Sequence, residues 1–404
     1  MTKLLAVIGP GLLVAATGVG AGDLATATFA GGKLGTTVLW AVALGAAMKY
    51  ALNEGLARWQ LATGDTFLEG VARRLGPIPL WLFLPYFLAW SYFVGAALIG
   101  ACGVAIHAML PVFDDPKHGK IVFGIAASAA GVALVLAGGY RLFARVMSAC
   151  IAIMFVTVVV TAVLLWPGTG EVLAGFAPRL GELRGSGLTW TVALVGGVGG
   201  TVTILCYGYW IREEGRAGIG ALRTSRIDLA AGYGLTALFG IAMVIIGSTV
   251  TVDGSGAGLI VTLADALERP LGPAGRWIFL IGAFGAVFSS LLGVWQAVPY
   301  LFADLVRLLH DRDSAGQIDT RSAPYRGYLF AIAAVPALGL VTSFKQAQKV
   351  YAVVGAAFMP ALAIALLVLC SRTAWIGRDA RTRVLGAGAL VTTLAFFAWA
   401  ALRS

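Results

Sequence analysis

The chain has 404 residues, 59% hydrophobic and 12% charged, where a soluble domain carries roughly 25% charged residues. This excludes a separate soluble domain and marks a polytopic membrane protein throughout. The formal charge of +10 does not indicate a nucleic-acid partner, because the basic residues sit in short loops between apolar runs, as positive-inside orientation requires.

Windows of about 20 apolar residues predict eleven spans, at 4–30, 36–57, 80–109, 121–138, 144–166, 188–211, 227–250, 275–303, 325–343, 348–370 and 384–402. The first begins like a signal peptide, with Lys3 before an apolar run. That run continues past Asp23 into the second span, so it is read as an uncleaved helix. Within it stand Gly9-Pro10-Gly11 and Gly18-Val19-Gly20-Ala21-Gly22-Asp23. Glycine weakens a helix, and unwound backbone in a bilayer must face protein or water. Asp23 is an ionisable residue inside a span and a functional candidate by default. It reads either as a cation ligand or as an acidic cap for the second half-helix.

In span two, Lys49 and Asn53 share a helix face with Glu54 beside them. They read as a gate, or as a structural pair with Lys49 snorkelling. Span three carries Trp90 and Tyr92, and near its outer end His107, a proton acceptor or an interfacial side chain. Span six holds a second break, Gly196-Gly197-Val198-Gly199-Gly200, running into Cys206-Tyr207-Gly208-Tyr209-Trp210. The glycines at both breaks either free carbonyls for a cation or allow close helix packing. Tyr207 is placed to hold an organic cation through its ring, or to pack in the core. Arg212, Glu213, Glu214 and Arg216 close span six as a solvated ion-pair face or an inner gate, and Asp304 and Arg307 at the end of span eight are similar. Ser289, Ser290 and Gln296 on span eight either complete a sodium site at the first break or form ordinary interhelical hydrogen bonds. Cys102, Cys150, Cys206 and Cys370 all fall inside spans, with no disulfide framework or metal-binding pair; Cys206 lies beside the second break.

Matched glycine breaks in corresponding spans point to the central site of an inverted-repeat secondary transporter. Span six follows span one by five positions, an odd offset that inverts the second unit. The predicted organisation is one membrane domain over 1–404: a first five-helix repeat at 1–166, an inverted repeat at 188–370, and an extra helix at 384–402. With the N-terminus cytoplasmic and the C-terminus outside, most loop arginines and lysines fall on the inner side.

The order of motifs resembles the natural-resistance-associated macrophage protein (Nramp) family of metal-ion transporters. The likeness is carried by Gly9-Pro10-Gly11-Leu12-Leu13-Val14-Ala15, Leu24-Ala25-Thr26 with Ala30-Gly31, Gly200-Thr201-Val202, Ser225-Arg226-Ile227-Asp228, and Ser289-Ser290 followed by Gly293. It implies the fold of amino-acid/polyamine/organocation transporters, proton-linked metal uptake, and a cation site between spans one and six. The departures are specific. Where the family's first break reads Asp-Pro-Gly-Asn, this chain has Gly20-Ala21-Gly22-Asp23. Where its sixth span reads Met-Pro-His, this chain has Thr203-Ile204-Leu205-Cys206. The acidic residue of the family's proton path in span three is absent from Trp90-Ser91-Tyr92-Phe93-Val94-Gly95. Soft ligands select manganese and iron, so a site of one carboxylate, a threonine and carbonyls suits hard ions instead.

The expectation is an all-α, inner-membrane secondary transporter of about eleven transmembrane helices, with an inverted 5+5 repeat and broken helices one and six. Its substrate is a cation, magnesium before manganese or iron, bound by Asp23, Gly20 and Thr203, with Ala21, Cys206 and Tyr207 completing the substrate site. Ser289, Ser290, Lys49 and Glu54 serve a coupling ion or gate. The alternatives are a small organic cation or amino-acid-like solute, or a non-transporting membrane sensor. No cofactor and no catalytic motif is expected, and the oligomeric state stays open.

Overall fold

The computed structural model describes residues 9–179, 183–250, 259–314 and 316–403, and every regular element among them is helical. Among the described residues, ten helices are long and apolar enough to cross a membrane. One of these, Asp23–Thr63, runs from the second half of the predicted first span through the second. The start of the first span, 4–8, lies outside the described residues. The protein is an all-α membrane protein whose first and sixth spans are interrupted.

The first span is α1 (Pro10–Gly18) and α2 (Ala27–Leu34). Proline suits the first turn of α1, where its missing N–H costs nothing. Between them, Val19–Thr26 forms a π-helix rather than unwound chain. Such π segments are rare and concentrate at functional sites. The second span, α3 (Leu39–Thr63), stops at Gly64, whose φ of 83° is left-handed. A short amphipathic helix, α4 (Phe67–Leu75), follows. Its start is a capping box, in which the Thr66 hydroxyl accepts from Glu69 N–H and the Glu69 carboxylate accepts from Thr66 N–H. Then come α5 (Ile78–Met109) and α6 (Pro116–Leu164), the latter containing two candidate spans, Pro116–Ala137 and Leu142–Leu164.

The sixth span is α7 (Gly185–Gly197), a break, a 3-10 turn at Val202–Leu205, and α8 (Cys206–Glu213). Here the backbone does unwind: Gly199 and Gly200 hold φ of 73° and 88°, a region costly for any residue with a Cβ. After it come α9 (Leu222–Ser248), α10 (Leu259–His310, kinked at Gly272), α11 (Ala323–Ala334), α12 (Phe344–Ala356), α13 (Phe358–Ser371) and α14 (Val384–Arg403). In the sixth span 89% of the apolar window is buried, against 22% in α14. The broken sixth span is therefore the centre of the molecule and α14 its lipid-facing margin.

Small residues set how closely the central helices approach. A Cβ on Gly232 of α9 would stand 2.3 Å from the Gly11 carbonyl oxygen of α1, and one on Gly247 would stand 2.4 Å from that of Thr28. These contacts hold the first span against the seventh, by the close backbone packing that replaces hydrophobic association in lipid. A Cβ on Gly18 would meet Gly200 N at 2.3 Å, so the two interrupted spans touch at their breaks.

Candidate functional site

Asp23 lies on the π-helix and is fully buried. Its Oδ2 accepts from the Gly199 N–H at 3.3 Å, and its Oδ1 has no hydrogen-bond partner among the described residues. Lys49, fully buried on α3, donates to the carbonyls of Gly196, at 2.6 Å, and of Val198. The Val198 carbonyl and the Gly199 N–H belong to one peptide unit. Anion and cation therefore grip opposite ends of a single peptide in the unwound segment. The two charges also act on each other directly. Lys49 does not snorkel to an interface, because α7 ends at Gly197 and offers it free carbonyls inside the protein.

Asn53, one turn beyond Lys49, donates to the Tyr233 hydroxyl. Its own Oδ1 and the Thr236 hydroxyl of α9 are buried without partners among the described residues. Tyr233 and Thr236 flank the break: a Cβ on Gly199 would stand 3.0 Å from the Tyr233 ring and 3.1 Å from the Thr236 methyl. One on Gly240 would stand 3.6 Å from Asp23 Oδ1. Tyr351 of α12, bonded to Thr201, lies within electrostatic reach of Asp23, as does Tyr233. Trp90 closes this wall by donating its indole N–H to the Thr201 hydroxyl at 2.7 Å. Sequence reasoning did not select Tyr233, Thr236 or Tyr351. The signal for the first two was present, since Tyr233, Thr236 and Gly240 recur at three and four residues along one face of α9.

The other predicted site residues divide. Ser290 faces the first break, accepting from Gly20 N–H at 2.6 Å and donating to the Ala16 carbonyl at 2.8 Å. It thus ties down a backbone N–H of the π-helix. Ser289 instead donates to Ala286 of its own helix. Thr203 is buried beside Gly200, and Cys206, also buried, opens α8. Ala21 falls on the π-helix, its side chain outside the described residues. The Tyr207 hydroxyl turns to Asp228, at 3.2 Å, and not to Asp23. Glu54 is not with Lys49: it pairs with Arg58 at 2.5 Å and Arg226 at 2.8 Å. Successive helical residues are about 100° apart, which turns Glu54 off the Lys49–Asn53 face. His107 packs against Gly119 of α6, apart from this cluster. Among the described residues, no group of three or more His, Cys, Asp or Glu is placed to hold a metal.

Of the charges that close span six, Glu213 and Glu214 are exposed, whereas Arg212 and Arg216 turn inward to carboxylates. Arg212 reaches Glu69 at 3.0 Å, and Arg307 binds both Glu69, at 2.7 Å, and Asp304, at 2.6 Å. Asp304 also accepts from Tyr209 at 2.6 Å and from Thr66 at 3.1 Å. The network joins α4, α8 and α10 at one end of the protein. Burial opposes a charge on Glu69, but Arg212, the Thr66 N–H and Arg307 hold its carboxyl below the ordinary range. A lowered carboxylate pKa stabilises above the unfolded value and is lost as pH falls through the folded one. The contribution of Glu69 is thus present at neutral pH and lost only in acid. Glu69→Ala leaves both arginines without this partner. It is expected to lower unfolding free energy by about 3 kcal/mol, the low end for breaking a buried pair because the arginines are partly exposed. Unfolding in mixed micelles at pH 7 measures this, and a loss below about 1 kcal/mol would remove the network from the stability of this end.

A family model described as natural resistance-associated macrophage protein-like matches residues 11–402. The divalent metal cation transporter MntH of Deinococcus radiodurans is 24% identical over 310 residues, covering 71% of this chain and 66% of that protein. An uncharacterized protein of Pasteurella multocida is 23% identical over 355 residues, 85% of this chain and 78% of its own. Among solved structures, a mutant of the manganese transporter of Eremococcus coleocola superposes with a TM-score of 0.75 at 16% identity, covering 99% of this chain and 86% of that one.

Proposed function

We infer that this chain, which belongs to the natural resistance-associated macrophage protein family, carries a cation across the membrane by alternating access around Asp23. The observation behind this is the Asp23 carboxylate: fully buried, set where two interrupted spans meet, with Oδ1 unpartnered among the described residues. A buried carboxylate oxygen left unpaired in the membrane core is costly, and an incoming cation relieves it. The relatives named as divalent metal and manganese transporters favour a metal ion. The donors around the breaks favour a hard one. They are the Asp23 carboxylate, the Asn53 carbonyl, the Thr236 and Thr203 hydroxyls and the Gly20 carbonyl, all oxygen, where selection of manganese or iron calls for softer sulfur or imidazole. In this reading magnesium is preferred over manganese and iron.

The chain is organised as two inverted five-helix repeats, 1–166 and 188–370, and one helix bundle rocks against another around that site. With the N-terminus cytoplasmic, the Glu69–Arg212–Arg307–Asp304 network is the inner gate, and Arg216 with Asp228 closes the same side. The protein sits in the inner membrane as a multi-pass chain.

A small organic cation or amino-acid-like solute is the second reading. Tyr207 is engaged with Asp228, but Tyr233 and Tyr351 stand within reach of the Asp23 charge and offer the aromatic surface such a solute needs. Uptake by proteoliposomes, with magnesium and manganese measured side by side, separates these readings. Magnesium uptake exceeding that of manganese by about tenfold or more is expected from the ligand set. Equal or faster manganese uptake would overturn the hard-ion preference. Uptake of neither metal would move the assignment to an organic solute or to a sensor that binds without transport.

A further inference from the structure

We propose that the Lys49 ammonium is a tethered cation held beside Asp23 on the free carbonyls of the broken sixth span, so that a transported ion settles only as Lys49 withdraws. The inference rests on the cation reading above and adds a residue that sets its affinity.

Three observations carry it. First, Lys49 is fully buried although its long side chain is the type that ordinarily reaches for water. Second, its acceptors are the Gly196 and Val198 carbonyls. These oxygens are free because α7 ends at Gly197 and the chain then turns through left-handed Gly199 and Gly200. The C-terminal end of a helix attracts positive charge through its unpaired carbonyls, which are also ligands of choice for a hard metal ion. Third, Asp23 holds the other end of the same Val198–Gly199 peptide. The carboxylate that would bind the substrate is thereby already balanced by a charge on the protein.

Charge balance gives the consequence. Asp23 and Lys49 together are neutral. A divalent cation added to that pair leaves two uncompensated positive charges in a low-dielectric interior, which is strongly disfavoured. Lys49 must therefore leave the carbonyls before a divalent ion can settle. Its tether makes it a competitor present at every site, and the apparent affinity falls in proportion to the fraction of sites it vacates. The rival role is a latch: Lys49 merely supports the unwound peptide and is unrelated to occupancy. The two roles give opposite signs. Removing the charge of a competitor tightens ion binding, whereas removing a latch loosens it or leaves it unchanged.

The test is calorimetric binding of magnesium to the full chain in nanodiscs, comparing wild type with K49M, K49Q and K49R. K49M and K49Q are expected to bind magnesium about tenfold or more tightly than wild type, K49R about as weakly as wild type, and K49M combined with D23A not measurably. Binding by K49M where wild type shows none counts the same way. If K49M does not purify as a folded protein, K49Q decides, since it keeps a polar donor at this position without charge. Binding by K49M and K49Q no tighter than wild type overturns the proposal. The cation reading survives that outcome if wild-type binding is still lost in D23A. Absence of magnesium binding in wild type and in every variant, with manganese titrated in the same way and also not bound, sinks the cation reading, and this proposal with it.

Discussion

Asp23→Ala is expected to abolish cation uptake by proteoliposomes, a loss of about 100-fold or more. The charge-assisted contact removed is worth about 3 kcal/mol or less by itself, which is already some two decades in affinity. Two further effects add to it. The Gly199 N–H loses its acceptor, and Lys49 is left inside the membrane without the charge that balances it. Asp23→Asn separates charge from shape, because its amide oxygen still accepts from Gly199. It is expected to keep the fold and lose uptake to nearly the same extent. Uptake by Asp23→Ala above about a tenth of wild type, with equal amounts of folded protein, would mean that the ion crosses elsewhere.

The second large effect concerns stability. Asp228→Ala is expected to lower unfolding free energy by about 3–5 kcal/mol, the cost of breaking a buried ion pair by removing one partner. Asp228 on α9 is fully buried and accepts from four donors: the N–H groups of Gly9, at 3.1 Å, and Gly11, at 3.0 Å, the Tyr207 hydroxyl at 3.2 Å, and Arg216 at 2.8 Å. It is in effect the cap of α1, supplied from a distant helix. The Asp228→Ala and Arg216→Ala variants and their combination form a double-mutant cycle in detergent unfolding. A coupling of about 1–3 kcal/mol is expected for two charges in direct contact. A coupling near zero, with Asp228→Ala costing below about 1 kcal/mol, would show that the start of α1 is held by other contacts.

How far the sequence could be read depended on whether a residue's role is local. Gly199 and Gly200 pointed to an unwound segment, because adjacent glycines weaken a helix whether or not they also allow close packing. Asp23 stood out because a carboxylate in a span is expensive wherever its partner lies. Lys49 and Asn53 were placed on one face by helical spacing alone. Partners were a different matter. Whether Lys49 reached water or protein turned on the end of α7, nearly 150 positions away, so snorkelling and burial were equivalent on paper. Tyr207 and Tyr233 are both tyrosines near a break. The 3-10 turn at Val202–Leu205 resets the phase of α8 and aims Tyr207 at Asp228, a rotation no periodicity count foresees. Arg212 after span six and Arg307 after span eight likewise looked solvated until α4 brought Glu69 to both. Asp228 was legible on the same principle as Asp23, and only its value as part of a motif was noticed.

The π-helix at Val19–Thr26 carries one further consequence. A π turn holds more residues than an α turn, so the stretch stores a surplus that shows only when the chain is counted. Both ends of the span are moored, Gly9 and Gly11 to Asp228 below it and the α2 backbone to Gly247 beyond it. Loss of a single residue between the moorings would let the helix close into ordinary turns. It would also swing one end by about 100° relative to the other, so that both could not stay tied. What protects this break is therefore the arithmetic of the chain as much as its chemistry. A side chain there can be exchanged one atom at a time, but the number of residues admits no halfway step.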